Sequence, residues 1–390
     1  MEKLEALFSL IKSGVFETPV EDGVKNFITD EKAEELCALA GEHDMSHIVS
    51  YVFDENGLVS SAELRKKCRE RWLKAVYRHG QMQYELEQIC NALEESGVKY
   101  IPLKGSILRS LYKQPWMRTS CDIDVFVEKE QLSVAIKTLE EKLSYKHEYG
   151  SSHDESLYAP SGVHLELHYD LIEESWAGAG AELLKDVWNY TQTVDGFTNQ
   201  KHMTDEMFYF YHVLHMTKHF EYGGCGIRPF LDLMILNENI DETQVQAREK
   251  LLEQGGYIVF EKACKALSQS WFASGEKTEL IEQMQAFVLS GGVYGTLDNR
   301  IALQSAQKGS KFAYWMSRIF LPYAQLKLVF PVLKKYKWLT PFCQVMRWCK
   351  ILFRKGGAKK SLREVSASAT LTDERRERTT KMIQELGLKK

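Results

Sequence analysis

Residues 121–127, CDIDVFV, constrain the fold more than any other stretch of the chain. The apolar residues make it a strand, and side chains at i and i+2 share a face, so Asp122 and Asp124 project together while Ile123 and Val125 turn to the other side. Two carboxylates that close raise each other's pKa and call for a compensating cation. Either the strand end is exposed and both acids are solvated, or they hold a divalent metal, as one or two carboxylates do together with water and substrate phosphates. D-x-D by itself is common by chance, so neighbouring segments must decide.

Two of them bear on the choice. In GVHLELHYDL, residues 162–171, Val163, Leu165, Leu167 and Tyr169 alternate with His164, Glu166, His168 and Asp170, giving one packing face and one ionisable face. Beside DIDVFV, this strand would add Glu166 as a third carboxylate, an arrangement that is costly without metal. Upstream, LKGSILRSLY places Gly105 and Ser106 at a strand-to-helix turn, where backbone N–H groups, a hydroxyl and a helix N-terminus can meet phosphates, with Lys104 and Arg118 supplying positive charge. Two findings would remove the metal reading: Glu166 far from the aspartates, or a salt-bridged lysine filling the pocket they share.

The rest of the chain supplies the frame. Residues 1–97 read as helical, with SSAELRKKCRERWLKAVYRHGQMQYELEQICNALEESG as one long helix opened by Ser60 or Ser61 and closed by Gly97. VKYIPL, DIDVFV, YKHEYG, SLYAP and GVHLELHYDL then read as strands, with the amphipathic helix KEQLSVAIKTLEEKL between them. Helices return after Trp176, with Thr204 as the expected cap of TDEMFYFYHVLHMTKHF. These patterns predict an α+β protein with a mixed sheet flanked by helices. The expected divisions are a helical region 1–97, a sheet domain 98–173, a mainly helical domain 174–363 and a polar, loosely held tail 364–390 in which TDERRERTTKMIQELG forms a last helix.

The motifs together resemble the nucleotidyltransferase superfamily, whose members share a Gly-Ser turn, a D-x-D or D-x-E strand and a later strand acid. PLKGSILRSLY, MRTSCDIDVFV, VHLELHYDL, HVLHMTKHF and GIRPFLDL are similar to motifs of a bacterial group of uncharacterised nucleotidyltransferases, and the likeness extends over residues 70–350. Glu166 stands where Asp is usual in that superfamily, and the gap from Ser106 to Asp122 is long. The resemblance implies Asp122, Asp124 and Glu166 as catalytic residues and ligands of Mg²⁺ or Mn²⁺, two ions about 3.5–4 Å apart. It also implies Lys104, Gly105, Ser106, Arg118 and Lys218 as nucleotide-binding residues. The implied reaction moves a nucleoside monophosphate from an NTP to the hydroxyl of a small-molecule, sugar-like or protein acceptor. The rival expectation is a catalytically silent nucleotide-binding or scaffold protein at an anionic surface.

Other signals carry less. His212, His215 and His219 share a helix face, but no fourth zinc ligand accompanies them, and a packed helix lining the cleft is the better reading. Arg228 and Asp232, four apart, are expected to pair. His164 and His168 either orient the carboxylates or face solvent, and the aromatics of MFYFYHVLHM read as core. The eight cysteines form no C-x-x-C pair, which suggests reduced thiols in a cytoplasmic setting, and the start is a poor signal peptide. No transmembrane segment is expected. Net charge is −4, yet residues 299–363 hold fifteen Lys and Arg and no acid, interleaved with aromatics. A solvated helical cap is the first reading of that stretch. Nucleic acid, not favoured because no RNA-binding motif is present, and peripheral contact with an anionic membrane are the others.

Overall fold

The computed structural model describes residues 1–148, 150–172, 178–308, 311–353 and 371–388, which form two compact units. The first comprises Met1–His215 and Ile227–Lys277, the second Met216–Gly226 and Thr278–Lys390.

The first unit begins with helices α1 (Lys3–Phe16), α2 (Asp22–Phe27), α3 (Asp30–Glu42) and α4 (Ser46–Glu55). Thr29 caps α3 by accepting from the Lys32 N–H. The long α5 (Ala62–Glu95) starts where expected, with the Ser61 hydroxyl accepting from Leu64, and the chain turns away at Gly97, whose φ of +67° suits a residue without Cβ.

The strands are β1 (Tyr100–Pro102), β2 (Asp122–Val127), β3 (Lys146–Glu148), β4 (Asp154–Tyr158) and β5 (His164–His168), in the spatial order β1-β2-β5-β4-β3. Among the described strands of this sheet β2 and β5 pair in parallel and the other neighbours antiparallel, so the sheet is mixed, as the alternation of strand and helix patterns predicted. Between β1 and β2 lies the short α6 (Gly105–Leu108), and α7 (Leu132–Leu143) follows β2. One face of the sheet is dry. Ile123, Val125, Val127, Leu165 and Leu167 pack there with Met82, Ile89 and Leu93 of α5 and with Ala135 and Leu139 of α7. The period-2 pattern therefore sends the acids and histidines of β2 and β5 to the opposite face.

That opposite face is built over by later segments. After α8 (Ala179–Lys185), Trp188 stacks on Phe126 of β2 at 5.0 Å between ring centroids. A small hairpin, β6 (Thr191–Thr193) with β7 (Lys201–Met203), leads into α9 (Asp205–Glu221). Phe208 donates to the Thr204 carbonyl, but the Thr204 hydroxyl is buried without a hydrogen-bond partner, so it does not cap α9 as expected. Helices α10 (Arg228–Leu236), α11 (Glu242–Gly255) and α12 (Ile258–Phe272) complete the unit, with Trp271 of α12 stacked on Phe8 of α1.

The second unit holds α13 (Glu279–Gly291), α14 (Leu297–Gln307), α15 (Lys311–Ile319), α16 (Tyr323–Val329) and α17 (Thr340–Phe353). The expected last helix forms as Asp373–Glu385, with Thr372 accepting from Arg375. The expected loose segment from Glu364 falls, up to residue 370, outside the described residues. Among the described residues no helix is long and apolar enough to cross a membrane.

Candidate active site

Parallel pairing of β2 with β5 sets the site. Asp122 lies beside His164, Asp124 beside Glu166 and Phe126 beside His168, so three carboxylates and two imidazoles share one surface. Ligand atoms of Asp122, His164 and Glu166 lie within 4.8 Å of one another, and so do those of Asp124, Glu166 and His168. Glu166 belongs to both groups and joins the two aspartates. The first condition that would have removed a metal centre, a distant Glu166, is not met.

The second condition is met in part. Lys104 Nζ lies 3.0 Å from Asp124 Oδ1, and His168 Nε2 lies 2.8 Å from the same oxygen. Burial alone would push the Asp124 carboxyl up, but Lys104 and His168 outweigh it and hold it well below the usual carboxylate range. Lys104 responds in kind: burial opposes its charge, Asp124 overrides that, and its pKa rises. His168 is likewise raised, since its hydrogen bonds to Asp124 and Glu166 overcome desolvation.

One lysine does not neutralise the cluster. Asp122 is pushed up to about 6, first by burial and then by the charges of Asp124 and Glu166, with Lys104 and His164 too weak to reverse the shift. The Asp124 Oδ2 atom takes no hydrogen bond among the described residues. Three carboxylates against Lys104 and a shared histidine proton leave a negative surplus, and hard oxygen donors of this kind suit a divalent cation such as Mg²⁺ or Mn²⁺.

The turn before α6 positions Lys104. Its backbone has φ +40° and ψ −110°, a strained conformation for a residue with a side chain, and it aims the ammonium back at β2. Gly105 permits a close approach: a Cβ there would sit a tight 3.2 Å from the Ser120 Cβ and 3.3 Å from its Oγ. Arg109 clamps this contact, donating to the Gly105 carbonyl at 2.7 Å and to Ser120 Oγ at 2.7 Å. Burial, aided by the charge of Arg118, pulls the Arg109 guanidinium down to about 10. Ser106 uses its N–H within the turn, donating to Leu103, and lines a groove of about 440 Å³ with Leu86, Cys90, Pro102 and Phe197.

Arg118 is engaged by the protein itself. Its Nε and Nη2 grip Asp232 of α10 at 2.9 and 3.0 Å, while the Tyr112 hydroxyl donates to the same carboxylate at 2.7 Å. The expected pairing of Arg228 with Asp232 does not form. A bidentate guanidinium in a buried setting is the stronger partner, and Arg228 turns instead to Asp44 and Thr119. Lys218, on the last turn of α9, belongs to the second unit.

Two residues of this neighbourhood escaped the sequence. Tyr211 on α9 faces Lys104, and burial, moderated by the lysine, lifts its phenol to about 12. Arg109 was read as part of a helix and not as a clamp. Tyr211 sits in the aromatic run MFYFYHVLHM, and nothing in that run marks one tyrosine as different from the next. His212, expected to line a cleft, is buried and hydrogen-bonded to the Pro229 carbonyl at 3.3 Å. None of His212, His215 and His219 belongs to a metal-competent cluster among the described residues. His168 takes the orienting role left open for it, and His164 is half-buried, stacked on Tyr158 at 4.7 Å and 3.2 Å from Ser156 Oγ.

A mixed sheet, a glycine turn leading into a short helix and an acidic face on two parallel strands define the nucleotidyltransferase class, with clusters able to hold a divalent metal. Residues 29–272 match the family model described as Uncharacterised nucleotidyltransferase, and the chain belongs to that family. The match takes in the N-terminal helices from α3 and stops before the basic stretch, whereas the motif resemblance ran from 70 to 350. No curated protein matches the chain, and no solved structure does.

Proposed function

We propose that the chain transfers a nucleoside monophosphate from an NTP to an acceptor hydroxyl. The observation that carries this reading is the registered placement of Asp124 beside Glu166, with Asp122 within reach of the same Glu166, in a member of a nucleotidyltransferase family. Asp122, Asp124 and Glu166 would hold Mg²⁺ or Mn²⁺, which when bound neutralises phosphate charge and makes the acceptor hydroxyl easier to deprotonate.

The chain's own groups do the rest. The acceptor oxygen forms a bond to the α-phosphorus, the bond from that phosphorus to the bridging oxygen breaks, and pyrophosphate leaves with the electron pair. Glu166, half-exposed beside both aspartates, takes the acceptor proton. Lys104, paired with Asp124 at 3.0 Å and one residue before the Gly105–Ser106 turn, would share that carboxylate with a bound cation and offers its ammonium to a phosphate oxygen. His168 keeps Asp124 and Glu166 oriented through Nε2, at 2.8 and 3.5 Å. Arg118 supports the turn from behind, through Asp232, without needing to touch the nucleotide.

The test is transfer of label from α-labelled NTPs, with Mg²⁺ or Mn²⁺, to components of a cell extract and to the protein itself. The expected result is transfer that falls at least about a thousandfold in the Asp122→Asn, Asp124→Asn double variant. Unchanged transfer by that variant would overturn the metal-centre reading. The Lys104–Asp124 ion pair favours a second reading, a silent nucleotide-binding protein in which the lysine stands in for the metal. Under it, wild type transfers no label with any NTP, and Lys104→Met leaves nucleotide affinity unaffected by Mn²⁺.

A further inference from the structure

The second unit contains helices whose apolar stripes point outward. On α15 and at the residue that follows it, Phe312, Met316, Ile319 and Phe320 follow i, i+4, i+7, i+8 spacing, and all four are exposed, Phe312 to 74%. On α17, Phe342, Val345 and Met346 form a second exposed stripe, preceded by Trp338, which is 70% exposed and meets the Phe342 ring edge at 6.4 Å. The inward sides are modest by comparison: Tyr314 packs with Ile301, Ala302 and Leu371, and Cys343 with Leu326, Phe330 and Leu333. The helices are anchored to each other, since Trp348 Nε1 donates to the Ile319 carbonyl at 2.8 Å and Phe320 meets the Trp348 ring edge at 5.5 Å. The outward stripes are thus held in place by well-made contacts. Exposed apolar surface of this extent marks an interaction site.

Charge selects the occupant. Lys335 and Lys337, on the turn that carries Trp338, and Lys350, one helical turn past Met346, are exposed with their ammonium groups over the Tyr336, Tyr323 and Phe330 rings, and the sequence has no acid anywhere from 299 to 363. A second copy of the chain would bring one cationic face against another, which like-charge repulsion opposes. Residues 354–363 add five more cations in sequence. Aromatic and aliphatic stripes flanked by lysines match an interface in which rings sink to headgroup level and ammonium groups meet lipid phosphates. We propose that α15, α17 and the Trp338 turn dock the protein on an anionic membrane surface. This inference does not depend on the chemistry assigned to the sheet.

The test is co-sedimentation of the full chain with vesicles of phosphatidylcholine alone and of phosphatidylcholine mixed with phosphatidylglycerol. The chain should bind the anionic vesicles, release them as salt is raised, and ignore the neutral ones. Lys335→Glu with Lys337→Glu and Lys350→Glu should weaken binding by about a hundredfold. Trp338→Ser with Phe342→Ser should weaken it by at least about tenfold. Both variants change exposed side chains, and an unaltered melting curve shows that they fold. Absence of binding to either vesicle overturns the proposal. So does binding by both folded variants as tight as that of the wild type. Light scattering that shows a dimer dissolved by the serine variant, or retention on single-stranded oligonucleotide without vesicle binding, assigns the face to another partner and overturns it equally.

Discussion

The sheet of the first unit and the basic helices of the second use apolar residues in opposite ways. In the sheet, strand alternation puts the side chains of Ile123, Val125, Leu165 and Leu167 into one continuous core, and the other face carries the acids and histidines beside Phe126. In α15 and α17, the described apolar residues fall on two sides of each helix, one packed inward and one exposed. Core burial in the sheet is strong enough to hold Asp124 nearly dry beside Lys104 and His168. The lesson is that costly electrostatics are found where packing is tightest, and sparing packing where a surface faces outward.

Four experiments test the contrast between the sheet and the basic helices. The largest expected effect is on the buried pair behind the turn: Arg118→Met leaves the Asp232 carboxylate without its partner and should cost about 3–5 kcal/mol in urea unfolding. Adding Asp232→Asn should restore much of it, and no recovery would mean that Arg118 acts elsewhere. Next, Leu165→Ala should cost about 2–5 kcal/mol, whereas Val345→Ser should stay within about 0.5 kcal/mol. Equal losses would dissolve the contrast between the two regions.

A smaller effect comes from metal. Mn²⁺ at a hundredfold excess over its Kd should stabilise the wild type by about 2.7 kcal/mol in thermal melts. Asp122→Asn with Glu166→Gln should abolish that gain, and its persistence would move the metal elsewhere. The smallest effect is on acid stability. The Asp232 carboxyl is held below its usual 3.8, Arg118 overcoming the cost of burial. A depressed carboxylate contributes stability that is complete above its unfolded pKa and is lost as pH falls through the folded value. Wild type should therefore lose more stability than the Arg118→Met, Asp232→Asn variant on acidification below about pH 4, and parallel losses would sink the assignment.

Much of the fold was legible because it follows from period and punctuation. The long α5 with its Ser61 cap, the alternation in HLELH and the mixed sheet all come from local pattern. The candidate acids were legible for the same reason, since each stands out as a charge within an apolar strand. Thr204 shows the limit of that reasoning: a well-placed hydroxyl was expected to cap, and burial left it without a partner. Tyr211 shows another, because only the approach of α9 to the sheet distinguishes it from neighbouring aromatics.

Charge pairing was the least legible part. Asp232 has an arginine four residues before it and another 114 residues before it, and the distant one holds it. Lys104 was read as a phosphate ligand, while the folded chain places it on Asp124. The sequence alone determined which side of each strand would carry charge, because the backbone repeat is local and admits no other answer. Which cation meets which carboxylate was decided only by the tertiary structure, since an ion pair in a dry setting depends on the three-dimensional approach of groups that the linear order does not bring near one another.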